Sequence, residues 1–397
     1  MWCESLNNTP DIDNLVQNQL AMKKKLSLLS LLGGLAILIM GAVILSSCEG
    51  PQGPAGTDGA DGTDGVDGVD GQDGQDANST CILCHSDDQT IVTKSRQYAN
   101  SGHSTGHTSG YTNRSFGPMY NCAGCHTSQG FLDQLVGASN VPYADVTQPN
   151  CYTCHNIHDT YTEADWGLTN AAATEPFSGS TAMDLGSGNQ CTMCHQFAGL
   201  YLAIDSLWAD FDLGTATVTI TAGQKRAGVH HAPQYNIVAG MDLFEFTGSM
   251  AYPDSENHIT AQAADGCVTC HMNDGFGDLT GHSMSMTYEF HGSDNFHWSA
   301  SCTECHSGDD ELEGKVEDVA AVVDPLMATL YDLLVTAGIM FPEGDADEFL
   351  MVAGEWSTAL TAAHLNYNAI REDRSHGFHN PAYVEAVLTN TIEAITP

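Results

Sequence analysis

The chain has 397 residues, long enough for two or three ordinary domains or one large one. Its 50 acidic side chains against 11 basic ones give a formal net charge of −39, which excludes a nucleic-acid binder, because neutralising phosphates takes Lys and Arg. With 42% hydrophobic and 15% charged residues, wholesale disorder is excluded too, whereas 18 histidines and 14 cysteines form an excess that needs a chemical reason.

In chain order, residues 1–21 read as an extension from too early a start codon, which leaves Cys3 without a role. Met22-Lys23-Lys24-Lys25 then opens a basic stretch, followed by an apolar run from Leu26 to Leu45 and by Ser46-Ser47-Cys48. This order resembles a bacterial lipoprotein signal over residues 22–47, cleaved so that Cys48 becomes the lipidated N-terminus. The alternative is an uncleaved membrane-spanning helix, which a run of this length allows. Gly33, Gly34, Gly41 and the small residues before Cys48 favour cleavage.

From Gly50 to Gly74, Gly recurs at every third position, with Asp in most of the third places. That period permits a homo-trimer, because only Gly fits the axis of a collagen triple helix. Scarce Pro and repulsion between the Asp side chains favour a flexible acidic spacer instead. Either way, residues 48–77 form a lipid anchor and tether.

Twelve cysteines fall into one pattern, C-x-x-C-H, repeated six times. The copies are Cys81-x-x-Cys84-His85, Cys122-x-x-Cys125-His126, Cys151-x-x-Cys154-His155, Cys191-x-x-Cys194-His195, Cys267-x-x-Cys270-His271 and Cys302-x-x-Cys305-His306. Two thiols three residues apart can each add to one vinyl group of a haem, and the next residue then lies under the iron as its proximal ligand. Zinc ribbons would use the cysteines but leave six histidines unexplained. A thioredoxin-like pair would not recur six times, and a disulfide scaffold needs no histidine. The pattern therefore predicts six covalently bound haem c groups over residues 78–310. The motif resembles that of the c-type cytochromes, and the resemblance implies attachment outside the cytoplasmic membrane.

Between the fourth and fifth motifs, Ala216–Thr221, with Val218 and Ile220 alternating, predicts a short strand. The region 311–397 has no motif. Apolar Val316, Val319, Val323, Leu326, Leu330 and Leu333 predict an amphipathic helix over 315–338, with a kink or break at Pro325. A second helix is expected from about Asp345 to Ile370, with Phe349, Val352, Trp356, Leu360 and Ala363 on one face. A third starts with Asn380 as N-cap and Pro381 at N1.

Beyond the six proximal ligands His85, His126, His155, His195, His271 and His306, twelve histidines remain. Local context singles out His103, His158, His231 (narrowly over His230), His258, His282 and His379 as candidate distal ligands. His158 lies too close to His155 to share its iron and suits a neighbouring one. His107, His291, His297, His364 and His376 are weaker candidates, and Met ligation is the alternative.

The segments His230-His231-Ala232-Pro233-Gln234, Gly266-Cys267 to His271-Met272 and Gly281-His282-Ser283 resemble the multihaem cytochromes related to pentahaem nitrite reductases and octahaem hydroxylamine and tetrathionate enzymes. So do Asn366-Tyr367 and Ser375-His376-Gly377-Phe378-His379-Asn380-Pro381-Ala382-Tyr383. The resemblance implies a mainly α chain with much irregular structure, wrapped round six haems and closed by a C-terminal helical bundle. It also matches His282 and His379 to distal ligands. The reductases typically carry one C-x-x-C-K motif at the catalytic haem, whereas all six motifs here end in His. No motif marks a catalytic haem, so the chain reads as an electron relay at the periplasm or cell surface, with a multihaem reductase as the alternative. Expected partners are other redox proteins, a quinol-oxidising membrane complex or an extracellular acceptor, together with the membrane through the lipid anchor.

Overall fold

The computed structural model describes residues 85, 89–105, 122–138, 145–177, 180–200, 216–225, 228–230, 232–253, 265–272, 279–298, 300–303 and 306–397. The signal, Cys48, the Gly-rich tether, Cys81, Cys84, Cys305, His107, His231 and His258 lie outside the described residues.

Helices and irregular segments dominate, with three two-stranded antiparallel sheets among the described residues. Helix α1 spans Gln89–Ala99. The second to sixth motifs each form a helical turn at or beside the first cysteine: α2 (Cys122–His126), α4 (Cys151–Cys154), α5 (Asn189–Thr192), α7 (Cys267–His271) and α8 (Ala300–Thr303). Local capping fixes two of these turns. Asn150 and Thr153 form a reciprocal capping box around α4. Thr127 Oγ1 donates to the Ala123 carbonyl at 2.9 Å and accepts the Gly130 N–H at 3.0 Å, which joins α2 to α3 (Ser128–Leu135). There a side chain at Gly130 would place Cβ 2.3 Å from the Ala123 oxygen, so the two helices touch backbone to backbone.

Strand β1 (Ala198–Leu200) pairs with β3 (Gly228–His230), and α6 (Gln234–Ala239) follows. The expected strand over 216–221 is β2 (Thr217–Ile220). The β4 (Thr287–Phe290) and β5 (Ser293–Phe296) hairpin closes through His291 and Gly292, both at positive φ, as its two-residue turn requires.

The C-terminal region carries most of the apolar core. Helix α9 (Asp309–Ala337) buries Val323, Leu330 and Leu334. It packs against α11 (Pro381–Ile395), which buries Tyr383, Val384, Val387 and Leu388, and α10 (Thr358–Asp373) lies against both. Phe197, Ile220, Ile237, Leu243, Phe244 and Phe246 from earlier in the chain enter the same core. Each large apolar side chain so buried stabilises the fold by roughly 1.5–3 kcal/mol.

One expectation is narrowed and another corrected here. Helix α9 runs through Pro325 without a break. The proline removes a single backbone bond, to the carbonyl of the exposed Ala321, and the apolar stripe on either side holds the helix in register. The expected helix from Asp345 starts only at Thr358, where Ser357 Oγ accepts the Leu360 N–H at 3.2 Å. Before that cap, Phe349 sits at φ 61°, and β6 (Gly354–Ser357) pairs with β2, setting Trp356 opposite Val218. Helix α11 begins as expected, with Pro381 at its start and Asn380 Oδ1 accepting the Tyr383 N–H at 3.3 Å.

Candidate haem centres

A helical turn brings residues i, i+3 and i+4 to one face, so α2 and α7, which each span a whole motif, present two sulfurs and one imidazole together. These turns also adjoin one another. Cys125 lies beside Cys194, Cys191 beside Cys267, and Cys270 beside Cys302. Cys154 lies within electrostatic reach of Cys191 and Cys194. Cys122 is disulfide-bonded. With haem attached, that sulfur would be a thioether.

Four motif histidines face a second histidine at nearly one spacing. Ring centroids are 6.1 Å apart for His85 and His158, and 6.1 Å for His195 and His103. They are 6.2 Å apart for His155 and His282, and 6.2 Å for His271 and His379. Two imidazoles bound trans to one metal at about 2 Å each put their ring centres about 6 Å apart. His103, His158, His282 and His379 thus each meet the histidine of a different motif. His158 does so across from the first motif, three residues after the motif histidine that meets His282.

Hydrogen bonds to Nδ1 set the tautomers. His155 Nδ1 donates to the Trp166 carbonyl at 2.8 Å, His195 Nδ1 to Gln234 Oε1 at 3.0 Å, and His271 Nδ1 to the Met284 carbonyl at 3.0 Å. His379 Nδ1 donates to Asp373 Oδ1 at 2.6 Å, and His306 Nδ1 to Glu311 Oε1 at 3.2 Å. His158 Nδ1 lies 3.3 Å from the Tyr152 hydroxyl, and His103 Nδ1 lies 2.9 Å from Met284 Sδ. A proton held at Nδ1 leaves the Nε2 lone pair for a metal. Burial pushes the pKa of His103, His271 and His282 down to about 4, so these rings are neutral and ligand-competent at neutral pH. Burial also opposes protonation of His379, but the charge and hydrogen bond of Asp373 outweigh it and its pKa is raised.

His364 shows the opposite arrangement. It is fully buried in α10, and its Nε2 points to the Phe349 carbonyl at 3.0 Å. That is a hydrogen-bonded core histidine. His376 is exposed and meets Asp324 at 2.9 Å. His291 lies in the hairpin turn, and His297 follows β5.

Among the described residues, no group of three or more His, Cys, Asp or Glu side chains is arranged to hold a metal ion. Histidines that come in pairs supply only two axial ligands. Paired imidazoles beside pairs of cysteines fit the donor set of a haem c.

No family model matches the chain, and no curated protein matches it. Among solved structures it is similar to one described as the crystal structure of the outer cell wall cytochrome OcwA, with a TM-score of 0.46 and 19% identity. The match covers 76% of this chain and 50% of that one, so the chain spans about half the length of that structure. The resemblance to the nitrite reductase group rests on the quoted motifs alone.

One short turn serves three of the histidine pairs. In Gly281–Ser283 and the adjoining Met284, His282 meets His155, the Met284 carbonyl takes the His271 proton, and Met284 Sδ meets His103. Helix α1 holds the turn: Gln97 Oε1 accepts the His282 N–H at 3.2 Å and lies 2.6 Å from where a Cβ at Gly281 would sit. Gly281 takes φ 50°, which glycine adopts without strain.

Sequence reasoning missed Trp166, Gln234, Met284, Glu311 and Asp373, all partners of paired or motif histidines. Gln234 closes a quoted segment, and Glu311 stands five residues after His306. Asp373 carries no local signal at all.

Proposed function

We propose that the chain is a hexahaem c-type cytochrome that relays single electrons outside the cytoplasmic membrane, tethered through a lipidated Cys48 and the Gly-rich segment. Haem c supplies the one-electron couple. The carrying observation is the set of four histidine pairs at one spacing, each combining a motif histidine with a histidine from elsewhere in the chain.

The residues divide the work in a simple way. The cysteine pairs would hold each haem, the motif histidines would bind its iron, and His103, His158, His282 and His379 would each supply a second imidazole to one of them. His231 and His258 are the proposed distal ligands for two further centres. Two imidazoles held in place by the fold would stay bound on reduction, so electron transfer would cost little reorganisation. The thiol contacts favour a connected order in which the second, third and fifth motifs adjoin the fourth, and the sixth adjoins the fifth. His155 and His158 tie the first motif to the third. Partners would be redox proteins, a quinol-oxidising complex or an extracellular acceptor.

Pyridine haemochrome analysis of the purified protein should give six haems per chain, and three or fewer would reject the assignment. Electron paramagnetic resonance of the oxidised protein should show low-spin iron throughout. A high-spin signal would mark an open distal position and favour the multihaem reductase over the relay.

A further inference from the structure

The acceptors that hold the Nδ1 protons are not equivalent. His155 and His271 donate to backbone carbonyls, and His195 donates to the side-chain amide of Gln234. Two histidines donate to carboxylates. Glu311, facing His306 at 3.2 Å, has a side chain 39% exposed, so water screens its charge. Asp373, facing His379 at 2.6 Å, has a side chain 0% exposed, and its charge acts through a low-dielectric interior. Its second carboxylate oxygen accepts the Ser375 hydroxyl, while Ser375 Oγ accepts the His379 backbone N–H at 3.2 Å. These bonds hold the carboxylate against Nδ1 of His379.

A carboxylate that accepts a hydrogen bond from Nδ1 of an iron-bound imidazole makes that ring a stronger donor. Stronger donation stabilises ferric over ferrous iron and lowers the reduction potential. The same turn is tied to the neighbouring centre. Gln234 Oε1 accepts a hydrogen bond from His195 Nδ1, and Gln234 Nε2 donates to the backbone oxygens of Glu372 and Asp373 at 3.3 and 3.2 Å. Hydrogen bonds therefore run from the fourth motif's histidine through Gln234 to the turn that carries Asp373 and so to His379, which meets the fifth motif's histidine.

We propose that Asp373 is a positioning residue that, through His379, depresses the reduction potential of the fifth-motif centre. Gln234 gives the adjoining fourth-motif centre a neutral partner, which sets a potential step between two neighbours. The proposal rests on the axial pairing of His271 with His379.

The experiment is a spectroscopically monitored redox titration of the haem-loaded full chain and its variants. In Asp373→Asn, all low-spin signals remain, one midpoint moves upward and the others hold. Asp373→Glu, which keeps the carboxylate, returns that midpoint towards its original position. If the low-spin signals remain and no midpoint rises, or all rise together, the proposal fails. His379→Ala tests the underlying pairing separately: it should turn one low-spin centre high-spin, and if every centre stays low-spin, the axial reading fails instead. Should Asp373→Asn not accumulate, the unmodified protein still decides. One of its low-spin resonances must show the narrowed g-value spread of an imidazolate-like ligand, and its absence overturns the proposal.

Discussion

Histidines in this chain differ by which ring nitrogen the protein occupies. Six of the paired rings, His103, His155, His158, His195, His271 and His379, place Nδ1 against a polar partner, whereas His364 spends Nε2 on the Phe349 carbonyl. Burial pushes the pKa of His364 down to about 4 from its ordinary 6.5. The unfolded chain binds that proton below about pH 6.5, and the folded chain does so only near pH 4, so stability falls as pH drops through this window. One proton corresponds to a slope of about 1.4 kcal/mol per pH unit. His364→Gln should remove that contribution, read as a flatter dependence of the unfolding midpoint on pH between 6.5 and 4; an unchanged slope would show that His364 is not the group responsible. At this scale the motif histidines are legible because chemistry fixes their spacing to the cysteines. Their partners are legible only as candidates, since nothing local in the sequence says that His103 meets His195 or that His282 meets His155. Asp373 is illegible, because its role depends on a turn that brings it back onto His379.

Among elements, the C-terminal helices separate propensity from packing. In α9, Leu330 is fully buried and Val322 is 44% exposed. Leu330→Ala should cost about 2–5 kcal/mol of unfolding free energy, and Val322→Ala should stay within about 0.5 kcal/mol. Denaturant unfolding of the two variants side by side checks this, and equal costs would contradict the packing described. The stripe of α9 and the cap of α11 are legible because periodicity and Asn380-Pro381 are local signals. The late start of α10 is not. Phe349, Val352 and Trp356 fit a helical face by spacing alone, yet pairing of Gly354–Ser357 with Thr217–Ile220 claims that stretch as strand. A contact more than a hundred residues distant in the chain overrides the local pattern.

Across the whole molecule, a formal net charge of −39 sets how partners approach. A basic redox partner should bind with an on-rate that falls steeply as ionic strength rises, while an acidic one should show little binding at any salt. Stopped-flow electron transfer across a salt series checks this, and a flat profile with a basic partner would rule out electrostatic steering. The histidine pairs have a further, mechanical meaning. His103 with His195, His155 with His282 and His271 with His379 each join positions on the order of a hundred residues apart, a separation at which a covalent cross-link removes about 4–5 kcal/mol of chain entropy from the unfolded state. Ligated iron would therefore act as a set of staples across a chain whose apolar core lies mostly at one end. Losing a distal histidine would open a reactive iron and also release a long loop, so redox fidelity and resistance to unfolding would fail together.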